Sequence, residues 1–400
     1  MPHTNDYEKD FLNGSSEAEE SQTSDAHILD PITDDEDFEG DEDIYVASQW
    51  QLMRWKFRKH RLANVSLVVL IVIYFLAIFC EFFAPYDPNH YDIRFTYAPP
   101  QKIRFVGKNG FSLRPFVNGY KREIDPETLR RKYAPDPDIE HPIYFFVKGN
   151  PYKLWGLWPT DLHFIGTKEG TLFLWGTDRM GRDTFSRVLY GSRISLSIGL
   201  IGVLISFLLG ILIGGFSGYY GGAFDVIVQR LIEFIRSIPT IPLWMALSAA
   251  LPPHWPPLRV YFGITIILSL IGWTGLARVV RSKFLSLREE DFVTAARICG
   301  ASEFRIVFRH MVPSFLSHII ASLTLSIPGM ILGETSLSFL GLGLRPPVVS
   351  WGVLLQEAQN VRSVALAPWV LLPGVMVIIT VLSFNFLGDG LRDAADPYSR

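Results

Sequence analysis

The sequence predicts an all-helical polytopic membrane protein with about six transmembrane helices and one enlarged loop outside the membrane. Several apolar segments reach the roughly 20 residues that a helix needs to cross a bilayer. Apolar residues make up 48% of the 400 positions, a share that suits a chain embedded in lipid. Basic residues cluster beside the apolar segments, in the pattern that holds such clusters in the cytoplasm. Together these observations favour a bundle of membrane-spanning helices.

An acidic tail at residues 1–45 precedes the first apolar segment. It holds 16 Asp and Glu residues against one Lys, a net charge of −15, whereas the whole chain carries −3. Such a segment buries too little apolar surface to offset its ordering entropy, so we expect a disordered cytoplasmic tail. A solvated tail that aids solubility or regulation is favoured over a partner-binding arm. The tail also lacks the basic start of a cleavable signal peptide.

The first predicted span sets the orientation of the chain. Residues 62–84 carry no charge until Glu81 and are long enough to cross the hydrocarbon core. A basic cluster at positions 54, 56, 58, 59 and 61 precedes this segment and is expected to stay in the cytoplasm. Residues 46–88 should therefore contain an interfacial helix and the first transmembrane helix, with the N-terminus inside.

Five further apolar segments complete the predicted bundle. They lie at residues 194–216, about 238–251, 260–277, 311–333 and 365–387. The second of these is short, and we predict that it ends a single helix over residues 224–251 whose first turns lie at the cytoplasmic interface. Six crossings place the C-terminus inside as well. Residues 176–400 would form a five-helix core with a cytoplasmic loop at 278–311, and residues 89–175 an extracytoplasmic insertion.

Small residues recur every four positions along the segment at 194–216 and just beyond it. They are Gly202, Ser206, Gly210, Gly214 and Gly218. This spacing lines one face of a helix and lets a neighbouring backbone approach closely. The neighbour is either another helix of this chain, which is favoured, or a second subunit.

Few residues of the chain suit proton coupling or catalysis. Only Glu233 and His318 stand near the centre of a predicted span, which disfavours a self-contained secondary transporter driven by protons or sodium. The sequence has no phosphate-binding G-x-x-x-x-G-K-S/T loop and no H-E-x-x-H or G-x-S-x-G hydrolase motif. Its two cysteines, Cys80 and Cys299, are too few for a disulfide framework or a zinc site. We therefore expect neither an enzyme nor a bound cofactor, and no nucleic-acid partner.

A charged stretch, REEDFVTAARICGASEFRIVFRHMVPS at residues 288–314, interrupts the apolar segments. Ser286 and Glu289 have the S-x-x-E spacing of a capping box, which predicts that a helix begins there. Gly300 is the residue type that ends a helix in the left-handed conformation. The stretch should thus contain one short helix between two spans.

Apolar residues follow one face of this short helix. They are Phe292, Ala295, Ala296 and Cys299, at i, i+3, i+4 and i+7. Such a stripe can lie on the membrane surface or insert into a groove on a soluble partner. The small alanine side chains suit a close-fitting groove, and both alternatives stay open on these grounds.

The segment TAARICGASEFRIVFRHMVPS resembles the EAA loop of binding-protein-dependent ABC importer permeases, whose helix docks into the ATPase subunit. Ala295, Ala296 and Gly300 match the Ala-Ala and Gly of that loop, and Pro313 its terminal proline. Thr294 stands where the family usually has Glu, so the ionic contact of that Glu is not implied. The resemblance implies that this loop couples to an ATPase. With the residues of the predicted helix start and apolar stripe, the candidate coupling residues are Ser286, Glu289, Phe292, Thr294, Ala295, Ala296, Gly300 and Pro313.

Four further motifs resemble the C-type permease of dipeptide, oligopeptide and nickel importers. They are APYDP at 84–88, GTDRMGRDTFSRVLYGSRISLSIG at 176–199, LSFLGLGLRPPVVSWGVLL at 337–355 and NFLGDGLRDAADP at 385–397. The resemblance implies a type I ABC importer permease in a bacterial or archaeal cell membrane. It also implies a heterodimer with a homologous B-type permease, two cytoplasmic ATPases that bind the ATP, and an extracytoplasmic binding protein.

The function implied is half of the translocation pathway of an ATP-driven peptide importer working by alternating access. Nickel chelates and oligosaccharides are alternative substrates for similar permeases. Two other classes stay open, a self-contained secondary transporter or channel and a membrane anchor that scaffolds a soluble complex. Only partner-dependent transport would exclude the anchor.

The insertion at 89–175 is longer than the usual first outer loop of the family. Residues 143–147 are typical of a strand, and GNPYKLWGLWP at 149–159 of a turn-rich aromatic loop. The segment is expected to form a small packed subdomain. The alternative is that Tyr152, Trp155 and Trp158 form a contact surface for the binding protein, because such side chains are enriched at interface anchors.

Acidic and basic residues alternate just before the second predicted span. Asp178 and Asp183 are expected to pair with some of the arginines at 179, 182, 187 and 193. A binding site for a substrate carboxylate is the alternative. The loop after residue 333, which carries Glu334, is expected to hold re-entrant or surface helices.

Overall fold

The computed structural model describes residues 49–107, 110–124, 126, 131–252 and 254–395. The predicted acidic tail and the last two residues of NFLGDGLRDAADP lie outside the described residues. The helices are α1 Gln49–Lys59, α2 Arg61–Ile78, α3 Cys80–Phe83, α4 Thr184–Tyr220, α5 Gly222–Ser237, α6 Thr240–Ala249, α7 Pro257–Leu287, α8 Asp291–Ile298, α9 Glu303–Arg305, α10 Val312–Ser314, α11 Leu316–Phe339, α12 Trp351–Leu355, α13 Val361–Leu366 and α14 Leu372–Ala395. The strands are β1 Arg104–Gly107, β2 Gly110–Ile124, β3 Arg131–Leu154 and β4 Trp158–Thr167.

Five helices of the described chain are long and apolar enough to cross a membrane. They are α2, α4, α7, α11 and the helical segment Pro368–Ala395, which joins a 3₁₀ turn to α14. Each coincides with one of the predicted spans. The prediction of a helical, polytopic membrane protein is therefore confirmed.

The third predicted span is not the single helix expected over residues 224–251. The helix breaks between α5 and α6, where Ile238 is extended, with φ −88° and ψ 130°. Pro239 explains the break, because proline lacks an N–H and disfavours helical backbone at the residue before it. The apolar piece that remains, α6, has ten residues and is too short to cross a membrane alone.

The packing of α4 on α7 shows how the chain returns between them. A Cβ added at Gly210 would meet Leu276, one at Gly214 would meet the backbone of Ala277, and one at Gly218 would meet that of Arg281. Both residue numbers rise together, so α4 and α7 run parallel. The connection at 221–256 must then travel back along the bundle, and α5 and α6 make this sixth pass in two pieces. The small-residue face is used within the chain, as the favoured interpretation held.

An antiparallel sheet of four strands, in the order β1-β2-β3-β4, fills most of the insertion. The strand predicted at 143–147 lies within β3. Val117, Ile143 and Leu172 form its small core. Among the described residues, this sheet with its own core is a departure from the all-helical prediction.

Glu334 lies inside a membrane-spanning helix, because α11 continues to Phe339. The expectation that it lies on an outer loop is wrong. Its carboxylate is fully buried and accepts hydrogen bonds from Ser195 Oγ at 3.0 Å, Ser338 Oγ at 2.8 Å and Ser350 Oγ at 2.7 Å. These three donors offset the cost of removing the group from water, so the helix need not end before it.

The loop that follows α11 folds back as predicted. It contains α12, a 3₁₀ turn at Gln356–Gln359, and α13. Trp351, at the start of α12, is fully buried, and its Nε1 donates to the carbonyl oxygen of Val188 in α4 at 3.1 Å. The short helices are therefore packed against the long ones.

Candidate functional site

The charged loop, residues 288–315, connects α7 to α11 and contains α8. The predicted capping box is wrong. Ser286 lies in the last turn of α7, and α8 begins at Asp291 after Glu290, which is extended and makes no side-chain capping bond. Fully buried Phe284 packs in the core beside Val280 and keeps α7 helical up to Leu287, so the helix start moves towards the C-terminus.

The end of α8 follows the prediction. Gly300 has φ +77°, the left-handed conformation that costs glycine little. Its N–H donates to the carbonyl of Arg297 at 3.0 Å, and that of Ala301 donates to the carbonyl of Ala296 at 3.1 Å. This pair of bonds is the Schellman motif, which satisfies the last carbonyl groups of a helix.

Most of the apolar stripe of α8 faces away from the other residues that the structure describes. Val293 is fully buried and holds the helix in a core cluster with Phe284, Ile306 and Met311. Of the predicted stripe, only Ala296 is half-buried, whereas Phe292, Ala295 and Cys299 are exposed. Ile298 adds a side chain that is 82% exposed. The helix is thus anchored on one side and leaves an apolar surface on the other.

The other predicted coupling residues are also exposed. Thr294 is exposed on α8, and Glu289 is exposed just before it, where its carboxylate accepts from Nε of neighbouring Arg288 at 2.9 Å. Ser286 is exposed on α7, and Pro313 is exposed in α10 at the far end of the loop. The structure thus brings Phe292, Thr294, Ala295 and Ala296 together on α8, while Pro313 stands apart.

A π-helical turn at Ile306–Met311 precedes Pro313. The N–H of Val312 donates to the carbonyl of Val307, five residues back. In a regular helix the ring of Pro313 would clash with the carbonyl of Arg309, and the wider turn avoids this. Such turns are frequent at functional sites, and this one fixes the return of the loop towards α11.

Several side chains fasten the charged loop and its neighbours to the bundle. The hydroxyl of Tyr220 donates to the carboxylate of Glu303, and the guanidinium of Arg297 lies 5.7 Å from the ring centre of Tyr219. Arg281 of α7 pairs with Asp225 of α5. Sequence reasoning missed these contacts, because the short turn SGYYGGAFD carries no pattern that shows what it will touch.

The three aromatic residues predicted to contact a binding protein lie on the β3–β4 hairpin. The hydroxyl of Tyr152 donates to the carbonyl of Leu162 at 2.6 Å, and Nε1 of Trp155 donates to the carbonyl of Ile78, at the end of α2, at 2.8 Å. Trp155 and Trp158 are exposed. Contact with a binding protein stays a prediction.

Asp178 forms the arginine pairs predicted before α4. Its Oδ2 lies 2.6 Å from Nε of Arg182 and 3.8 Å from Nε of Arg187. Both arginines and Asp178 line a cavity of about 290 Å³. A substrate carboxylate site here stays a prediction.

Asp183 does not make the predicted arginine pair. It caps α4 instead, because its Oδ2 accepts from the N–H of Ser186 at 2.7 Å and from Oγ of Ser186 at 2.6 Å. Burial raises the pKa of Asp183 to about 7. Arg193 pairs with Glu81, at 2.5 Å.

Two family models match the sequence. The model described as "Binding-protein-dependent transport system inner membrane component" matches residues 170–400. The model described as "N-terminal TM domain of oligopeptide transport permease C" matches residues 48–100. Between them they cover the helical part of the chain on both sides of the sheet.

Similar proteins include three permeases. The oligopeptide transport system permease protein OppC of Haemophilus influenzae is 40% identical, over 58% of this chain and 73% of that protein. The dipeptide transport system permease protein DppC of Bacillus subtilis is 38% identical, over 56% and 68%. The oligopeptide transport system permease protein OppC of Bacillus subtilis is 29% identical, over 88% and 91%. The last alignment is long enough to include the sheet.

One similar solved structure shows inward-facing conformations of the MetNI methionine ABC transporter. A chain of that structure is 19% identical, with a TM-score of 0.41, over 52% of this chain and 96% of that chain. A likeness at that level carries no further inference about this protein.

Proposed function

The chain belongs to the family of binding-protein-dependent transport system inner membrane components, and on that premise we propose that it is a permease subunit of an ATP-driven peptide importer. It would form half of the translocation pathway. Relatives that transport oligopeptides and dipeptides support peptides over nickel chelates or oligosaccharides. The scarcity of ionisable residues in the spans argued against a secondary transporter, and the buried Glu334 weakens that argument. Family membership is therefore the stronger evidence against a secondary transporter.

The single observation that carries the coupling role is the two-sided environment of α8. Val293 fixes the helix to the core, while Phe292, Ala295 and Ile298 present apolar surface that no part of the described chain covers. Apolar anchors surrounded by polar side chains are typical of a protein interface. We infer that a cytoplasmic ATPase of the importer provides the groove.

Each residue of the site then has a role. Ala295 and Ala296 let the groove approach the helix backbone, and Phe292 and Ile298 fill its pockets. Thr294 offers a hydroxyl where a carboxylate is usual, so this contact would be uncharged. Gly300 ends the helix, Ser286 and Glu289 precede it, and Pro313 fixes the end of the loop before α11.

Motion of the ATPase pair would reach the spans through named contacts. Val293 moves with Phe284 of α7, Glu303 moves with Tyr220 of α4, and Arg281 links α7 to Asp225 of α5. A charged loop fixed at these points transmits displacement to α7 and α4, and through α7 to α5, and so shifts the balance between inward and outward states. A homologous B-type permease would supply the other half of the pathway, and an extracytoplasmic binding protein would deliver the peptide.

The proposed orientation has both termini in the cytoplasm of a bacterial or archaeal cell. The basic cluster before α2 supports a cytoplasmic start. The parallel run of α4 and α7 supports a sixth pass through α5 and α6, which brings the C-terminus to the same side.

The native Cys299 on α8 provides a direct test. Cys299 is exposed and Cys80 is buried, so a Cys80→Ala chain carries one reactive thiol on the proposed interface. Labelling by a membrane-impermeant maleimide in inverted vesicles should slow at least about tenfold when both ATPases are bound. Equal labelling rates with and without ATPases would refute the docking role of α8.

A further inference from the structure

The tip of the β3–β4 hairpin is tied to the end of the first membrane-spanning helix. The indole N–H of Trp155 donates to the carbonyl of Ile78, the last residue of α2, at 2.8 Å. The ring of Trp155 also lies 5.4 Å from that of Phe79. The position of α2 in the membrane therefore determines the depth of the hairpin tip along the membrane normal.

The length of α2 shows where this depth lies relative to the hydrocarbon core. Its 18 residues span about 27 Å at 1.5 Å per residue, close to the roughly 30 Å of a hydrocarbon core. The basic cluster lies at the opposite end and includes the first residue of α2, Arg61. The carbonyl of Ile78 thus lies where the hydrocarbon meets the headgroups, and Trp155 lies at the same level.

The two faces of the hairpin differ in chemistry. Alternate residues of β3 and β4 point towards the span, where they line an open groove of about 430 Å³. The groove lining contains no charged residue and consists of Phe75, Phe79, Phe82, Phe83, Tyr152, Leu154, Trp158, Thr160 and Leu162. Charged side chains of the hairpin lie outside this lining, where exposed Nζ of Lys148 lies 3.8 Å from Oδ2 of Asp161.

The tip itself exposes large apolar side chains. Leu157 is 69% exposed and Trp158 is 57% exposed. Tryptophan and tyrosine are enriched where a membrane meets water, because the ring is apolar and the N–H or O–H still finds a polar partner. Trp155 and Tyr152 satisfy both conditions through their bonds to backbone carbonyls.

We propose that the tip of the β3–β4 hairpin, with Trp155, Leu157 and Trp158, is embedded in the bilayer interface and covered by phospholipid. The sheet is then anchored at two points, by the chain that leads into it and by its own aromatic tip. This assigns the tip to lipid rather than to a soluble binding protein. The proposal does not depend on the coupling role of α8.

Depth-dependent fluorescence quenching tests the proposal. A Leu157→Cys variant in a Cys80→Ala, Cys299→Ser background would carry a bimane label in the assembled complex, reconstituted in phosphatidylcholine vesicles. The control label replaces Lys121 of β2, which is exposed and paired with Glu123 at 3.6 Å, a site that belongs in water. The quenchers are a nitroxide attached near the headgroup end of the acyl chain and aqueous iodide.

The label at position 157 should be quenched by the lipid nitroxide at least about threefold more than the label at 121, with the reverse order for iodide. Equal iodide quenching at both sites, with no effect of the nitroxide lipid, would overturn the proposal. Shielding of position 157 only after a binding protein is added would also overturn it and would favour the docking surface.

Discussion

The charged loop and the β3–β4 hairpin both expose large apolar side chains beside the ends of membrane-spanning helices, yet their surroundings differ. On α8, exposed Phe292 and Ile298 stand among charged neighbours, and buried Val293 holds the helix from behind. On the hairpin, Trp155 and Trp158 stand among phenylalanines. Exposure alone therefore does not identify a docking surface. A polar rim points to a protein groove, whereas an aromatic surround at the level of a helix end points to lipid.

The largest expected effect separates these two surfaces directly. Replacing both Phe292 and Ile298 by Asp should weaken ATPase binding by about a hundredfold or more, because apolar anchors of an interface contribute roughly 2 kcal/mol each. The measurement is ATPase affinity for the purified permease pair. The matched control places Asp at Leu157 and Trp158 on the hairpin. If this control also lost ATPase binding, the distinction between the two surfaces would fail.

A second change tests the linkage between the charged loop and the spans. Asp225→Asn should leave Arg281 without its partner and destabilise the permease by about 1–3 kcal/mol, because a removed partner leaves a partly buried charge uncompensated. Transport should fall several-fold while ATPase binding persists. The matched control is Glu233→Gln on the same helix, whose pair with Arg230 is exposed and should contribute little. Equal effects of both variants would contradict the proposed linkage.

A third change sharpens the account of how α8 ends. Gly300→Ala should cost about 1 kcal/mol, because an alanine strains at a positive φ. The measurement is the apparent Tm of the purified chain in detergent, where a fall of about 2–4 °C is expected. Gly329→Ala is the control, because its added Cβ meets nothing within 4 Å and its backbone is helical. A Tm of Gly300→Ala equal to that of the control would contradict the role of the left-handed turn.

A fourth change tests a pH dependence at Asp183. Its pKa is raised from about 3.9 to about 7, so its protonated form is favoured in the folded state. The stability that this group contributes is complete below about pH 4 and is lost as pH rises through about 7. The Tm of the wild type should therefore fall relative to that of Asp183→Asn between pH 5 and pH 8. Parallel curves would contradict the assignment.

Asp92→Asn is the control for this series. Its pairing with Arg94 lowers the pKa of Asp92, so the stability it contributes is present above its unfolded pKa and is lost only in acid. Between pH 5 and pH 8 the difference between this variant and the wild type should stay constant.

Hydropathy could predict most of the helical fold, because the apolar composition of a segment is enough to identify it as a membrane-spanning helix. The apolar runs at α2, α4, α7, α11 and α14 needed no partner to be recognised. The prediction of a single helix for the third pass failed for a local reason, since Pro239 breaks the helix. The prediction that Glu334 lies on an outer loop failed for a long-range reason. Ser195, which donates a hydrogen bond to Glu334, lies 139 residues away in the sequence, beyond the reach of a local hydropathy average.

The candidate site was predictable in part. Gly300 carried a local signal and its role as a helix end is confirmed. The capping-box prediction failed because the four-residue pattern of Ser286 and Glu289 does not indicate where the preceding helix ends. Asp225, Tyr220 and Glu303 could not be found, since their importance depends on which helices pack together. The sheet was largely missed because its long strands pair polar segments whose alternation is weak.

The most direct test of the central claim compares the two regions within one assembled importer. Cysteines at Ala295 on α8 and at Leu157 on the hairpin would each be treated with a thiol-reactive photocrosslinker, in a chain without native cysteines. We predict a nucleotide-sensitive crosslink from position 295 to the ATPase and none from position 157. Absence of any ATPase adduct at 295, with crosslinks to lipid instead, would contradict the coupling role of α8.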